Sequence, residues 1–123
     1  MSNRFGCALI VLSAFAAAPA QAHHSSAMFD NSKTVSLAGT VKQVQWASPH
    51  CWIQLLAPAD AGVVEWSIEM AAPFELMRRG WKPTTLRPGD KVTITVNPAR
   101  DGSPGAMFIS AIGVDGRPIG QAK

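Results

Sequence analysis

Over residues 34–46 the apolar side chains fall at Val35, Leu37 and Val41, then at Val44 and Trp46. An apolar residue at every second position is the repeat of a half-buried strand. The one change of phase predicts a bulge or sharp coil near Gly39 or between Val41 and Val44. A turn is expected at Trp46, Ala47, Ser48 and Pro49. Cys51, Ile53 and Leu55 then alternate with His50, Trp52 and Gln54 in a second strand, which ends in the breaker cluster of residues 58–62. Val64, Trp66, Ile68 and Met70 define a third strand, and Glu65, Ser67 and Glu69 give it a wet opposite face.

Pro73 suits the first position of a helix, Phe74, Met77 and Trp81 recur at helical spacing, and Gly80 is placed to cap the helix C-terminus. A helix this short holds only by packing. Val92, Ile94 and Val96 alternate with Lys91, Thr93 and Thr95 in the clearest strand of the chain. Residues 97–105 have the composition of a loop, and residues 107–114 read as a fifth strand. Three strands, a short helix and two more strands is the element order of the OB-fold, whose first strand coils to pair with more than one neighbour. The expected architecture is all-β: a small five-stranded OB-like barrel with one short helix between strands 3 and 4. A small antiparallel sandwich is the alternative.

The first residues follow a different rule. Arg4 supplies a positive start, residues 8–18 are continuously apolar but too few to span a bilayer, and Pro19 precedes Ala20, Gln21 and Ala22, a small-x-small cleavage pattern. Residues 1–22 are therefore expected to be a cleaved signal peptide, residues 23–33 the mature N-terminal segment and residues 34–123 the barrel domain. A lipoprotein would need a cysteine after the apolar run, whereas Cys7 precedes it. This export signal directs the mature protein to the periplasm or beyond the cell, with no membrane span. A content of 47% apolar and 15% charged residues is that of an ordinary globular domain. The mature part holds ten Lys and Arg against eight Asp and Glu, without a basic run to gather charge on one face, which argues against a nucleic-acid partner. Only Cys51 remains after cleavage, so no intramolecular disulfide can form, and a buried, inert thiol is expected.

The chain has three histidines: His23, His24 and His50. Cleavage after Ala22 would free an α-amine that closes a six-membered chelate with the His23 imidazole. Amine and imidazole titrate at ~7.7–8.0 and ~6.5, so both can donate at neutral pH. Nitrogen-rich, tetragonal sites suit Cu(II), and His24 or His50 would supply a third nitrogen. The leading expectation is a non-catalytic metal-binding protein with copper as its cofactor. The plainer alternative is that two histidines after a signal site form only a polar start to the chain. Met28, Met70, Met77 and Met107 offer soft sulfur, but their apolar strand and helix positions read as core.

A second candidate is the surface of Trp46, Ser48, Pro49, His50 and Trp52 together with the loop that carries Asn97, Arg100 and Asp101. In an OB-fold the loops between strands 1 and 2 and between strands 4 and 5 flank the usual ligand groove. Such a surface would bind a small envelope ligand or a partner protein with no cofactor. The bland version is that Trp46 and Trp52 close the barrel end. An enzyme is not expected. Glu65 and Glu69, four apart on one strand face, are separated by ~13 Å, and His50 and Cys51 point to opposite faces. Arg78 and Arg79 at the helix end read as a solvated pair.

The mature chain also resembles an uncharacterised bacterial family of small secreted proteins, a domain of unknown function. The segments that carry the resemblance are HHSSAMFD (residues 23–30), LAGTVKQVQW (37–46), SPHCWIQL (48–55), VVEWSIEM (63–70), RRGW (78–81) and RPGDKVTITVNPARDGSPG (87–105). It implies an exported, single-domain, OB-like protein with no established activity, and draws attention to His23, His24, His50 and Trp52. Ser48 departs from the Asn-Pro-His form of the family, and Cys51 stands where a small apolar residue is expected, so cysteine chemistry is not implied as the shared function.

Overall fold

The computed structural model describes residues 26–120. The expected signal peptide and the first mature histidines lie outside the described residues. Five strands, β1 (Val35–Gln45), β2 (Trp52–Ala59), β3 (Gly62–Glu69), β4 (Lys91–Pro98) and β5 (Gly105–Gly113), are joined by one short helix, α1 (Pro73–Arg78), between β3 and β4. They close into a barrel in the order β1, β2, β3, β5, β4. All pairings are antiparallel except β3 with β5, which run parallel. This is the all-β barrel that the element order predicts.

Closure depends on β1. Its first half pairs with β4, from Val35 opposite Val96 to Thr40 opposite Lys91, and its second half pairs with β2. The handover is made where the sequence changes phase: the register slips between Val41 and Gln43. Gly39 sits at the bend, and a Cβ there would lie 2.5 Å from the Leu56 carbonyl oxygen, so the close approach of the two backbones needs glycine. Inside the barrel, Val41, Ile53, Leu55, Ile68, Ile94 and Val96 are fully buried, the inward set of the period-two pattern.

The second strand ends at Ala59, inside the expected breaker cluster, and the chain returns through Asp60 and Ala61 alone. Pairing with β1 ends at Leu56, so Pro58 occupies a stretch with a neighbour on one side only, where proline is tolerated. Glu69, expected on a wet face, is 3% exposed, because other parts of the chain cover that end of β3. Of the three residues read at helical spacing, Phe74 and Met77 are 66% and 53% exposed, whereas Trp81 enters the core, joined there by Leu76. The cause is the helix ending. Gly80 (φ +79°) donates to the Met77 carbonyl and Trp81 to that of Leu76, at 3.1 and 3.0 Å, a Schellman reversal that turns Trp81 back inward. There its ring meets Phe108 edge-on, with centroids 5.5 Å apart. Of the other methionines, Met70 is core as expected, Met107 is half-buried and Met28 is exposed.

Candidate binding cleft

The chain enters the barrel through a short 3-10 turn, Ser26–Met28, and is held there by the loop between β4 and β5. Phe29 bridges to Ala99, the Asp30 N–H donates to Pro98 O (2.8 Å), and the Arg100 N–H donates to Met28 O (3.0 Å). Side chains complete the clamp: Arg100 Nε donates to Ala27 O at 3.0 Å and Asn97 Nδ2 to Lys33 O at 2.8 Å. Asp30 Oδ1 accepts the Ser32 hydroxyl and N–H at 2.6 and 3.1 Å, and Lys33 and Arg100 approach its carboxylate at 3.3 and 3.7 Å. The Ser32 hydroxyl is the largest influence holding the Asp30 carboxyl below its ordinary value; burial opposes it, and the backbone N–H and the two cations assist. Asp101 Oδ1 likewise accepts the Ser103 hydroxyl and N–H at 2.6 and 2.9 Å, which lowers its carboxyl and stiffens the loop.

This clamp roofs a cleft of about 380 Å³ against the outer wall of β2 and β3. Met28 and Phe29 line it from the entering segment, Trp52, Ser67 and Glu69 from the wall, and Arg100, Asp101 and Ser103 from the loop. Trp52 and Glu69 are direct cross-strand partners, so their side chains share one face. Glu69 Oε1 meets Nδ1 of His50, whose side chain is 34% exposed. With Nδ1 turned to the carboxylate, Nε2 on the far side of the ring is directed away from it. A carboxylate on one ring nitrogen fixes the tautomer that makes the other a lone-pair donor, the arrangement that orients metal-binding histidines.

Of the ligand-binding residues expected from sequence, Trp52, Arg100 and Asp101 line this cleft. His50 adjoins it through Glu69. Trp46 is half-buried against the core, and Asn97 is an anchor for the entering segment. His23 and His24 lie outside the described residues, and among the described residues no three His, Cys, Asp or Glu side chains cluster as a metal site. Sequence reasoning missed Glu69. The signal that identifies it is register: a carboxylate opposite Trp52, at the strand end nearest the turn that carries His50.

Cys51 is buried, its thiol 3.8 Å from Ala47 O, and burial pushes the thiol up. Glu65 pairs with Lys42 at 2.7 Å, apart from Glu69. A larger cleft of about 650 Å³ runs over the outer side of β1, between Leu56 and Val63 on one flank and Lys91 and Val114 on the other, and none of the expected site residues lines it. Among the described residues no helix is long and apolar enough to cross a membrane.

Compared with known proteins, residues 10–108 match a family described only as a family of unknown function, DUF6152. No curated protein and no solved structure matches the chain.

Proposed function

Since the chain belongs to DUF6152, a family with no activity to carry over, we propose from its own residues that it is an exported, non-catalytic binding protein that holds a metal ion, copper, at the mouth of this cleft. The observation that carries the reading is the contact of Glu69 with His50 Nδ1, which turns Nε2 away from the carboxylate, as in metal-binding histidines oriented by a carboxylate. His23, its freed α-amine and His24 supply the remaining nitrogens. Support for their reach comes from the clamp on residues 27–33: Met28 lines the cleft, and the three chain steps from His23 to Ser26 span at most about 11 Å. Imidazole and amine donors in such a set suit Cu(II).

Titration calorimetry of the mature protein with Cu(II) tests this. Glu69→Gln weakens binding by about 10–100-fold through loss of histidine orientation, and one extra residue ahead of His23 weakens it by removing the amine chelate. Equal, weak binding by wild type and both variants would sink the metal reading.

A second reading has its own support in the cleft, whose volume falls in the range of small-ligand sites and whose lining joins Trp52 to a carboxylate. In this version the module grips an envelope ligand or partner without metal. Deleting residues 23–25 then leaves ligand binding unchanged, whereas Trp52→Ala abolishes it.

A further inference from the structure

The positive charge of a nearly neutral chain is not spread evenly. Residues 73–82 carry Arg78, Arg79 and Lys82 against the single carboxylate of Glu75. Taken along the sequence these cations are too few to make a basic run, but the Schellman reversal after α1 gathers them at one corner, because Trp81 turns inward and Lys82 emerges again on the surface. Glu75 offsets them weakly, its Oε1 standing 3.8 Å from Arg78 Nη1. Neither Arg79 nor Lys82 has an ion pair among the described residues.

The same corner exposes apolar surface that the fold does not need. Phe74 and Met77, three apart on the helix, are neighbours on its outer face, and the Arg78 guanidinium stands 6.0 Å from the Phe74 ring centre. Arg79 lines a cleft of about 220 Å³ with Ile109 of β5, itself 45% exposed, so this cation also stands beside exposed apolar surface. An exposed aromatic ring, a flexible thioether and an aliphatic side chain interleaved with cations is the composition of a surface that rests in the boundary between lipid headgroups and acyl chains.

We propose that the α1 corner docks on an anionic lipid bilayer, with Phe74 and Met77 entering the headgroup boundary and Arg79 and Lys82 facing the phosphates. A protein partner fits less well. The core of a protein interface is depleted in charge, whereas here exposed cations stand beside exposed apolar side chains, and a bilayer presents both of their complements at once. The attachment is peripheral and weak, since two side chains from a six-residue helix supply little apolar insertion.

Co-sedimentation of the mature protein with vesicles tests it. Vesicles of phosphatidylglycerol and phosphatidylcholine in equal parts are compared with phosphatidylcholine alone, at low and at high salt. Binding is expected to the anionic vesicles at low salt, with a loss of about fivefold for each of Arg79→Ser and Lys82→Ser. The pair Phe74→Ser with Met77→Ser removes the part that survives added salt. All four positions are solvent-exposed, and circular dichroism confirms that the variants fold. Equal binding to both vesicle types, no binding to either, or charge variants indistinguishable from wild type overturns the proposal; cross-linking to an acidic peptide without lipid binding does so in favour of a protein partner.

Discussion

Arg100 and Arg79 are both solvent-exposed arginines, but Arg100 Nε donates to Ala27 O at 3.0 Å and its guanidinium faces Asp30, whereas Arg79 has no ion pair or side-chain hydrogen bond among the described residues. The contrast extends to their surroundings. Around the cleft, Asp30 is answered by Ser32, Lys33 and Arg100, Asp101 by Ser103, and Glu69 by His50. At the α1 corner the cations and the exposed Phe74 and Met77 are met mostly by solvent. Polar side chains that flank the cleft therefore build it, and under the proposed binding role recognition there would fall to Trp52, Glu69 and His50. At the α1 corner the outward side chains build nothing and are available to a partner.

If that division holds, substitutions at the α1 corner separate sharply by the direction in which a side chain points. Trp81→Ala empties a core position packed on Phe108 and is expected to destabilise the fold by about 3–5 kcal/mol. Phe74→Ala and Met77→Ala, earlier in the chain on α1, change stability by no more than about 0.5 kcal/mol, because their side chains lie outside the core. Urea unfolding of the three variants decides it. A cost at Phe74 near that at Trp81 would mean that the exposed face is structural after all.

The cleft corner gives the next largest effect. His50→Ala leaves the buried Glu69 carboxylate without that partner, and a loss of about 1–3 kcal/mol is expected. Adding Glu69→Leu to His50→Ala removes the stranded charge and recovers most of it. A double-mutant cycle by denaturant melts measures the coupling, and additive single losses would show that the two side chains do not act as a pair.

Why the barrel was legible in the sequence and the corners were not follows from which forces act at each. Period-two alternation reports burial on a sheet, so Val92, Ile94 and Val96 declared β4, and the phase change after Val41 declared the bulge that closes the barrel. Gly80 was readable as a cap, yet the inward turn of Trp81 depends on two backbone hydrogen bonds that spacing alone does not reveal. Helical spacing alone put Phe74 and Met77 inside. Glu69 was misplaced for a related reason: alternation assigns a face, but whether water reaches that face depends on what the rest of the chain lays beside it, and Met28 and Phe29, far away in sequence, line the same cleft. Asn97, Arg100 and Asp101 drew attention as a polar loop, and hydrogen bonds to residues 27–33 and within the loop occupy all three.

The smallest expected effect tests the clamp through pH. Asp30 and Asp101 have carboxyls held below their ordinary value, chiefly by the hydroxyls of Ser32 and Ser103. A depressed native value means that the unfolded chain takes up the proton first as pH falls. The stabilisation is therefore fully present above the unfolded value, about 3.9, and is lost as pH drops through the lower native one. Asp30→Asn should lower the urea midpoint near neutral pH, and the gap from wild type should close on acidification through that window. Asp101→Asn should show the same trend with a smaller gap, because Asp101 is exposed and its carboxylate bonds only within its own loop, to Ser103. A gap for Asp30→Asn that stays constant down to the acid limit would mean that its carboxylate charge contributes nothing to holding residues 27–33, and that the clamp rests on backbone bonds, Phe29 and the side-chain bonds of Asn97 and Arg100.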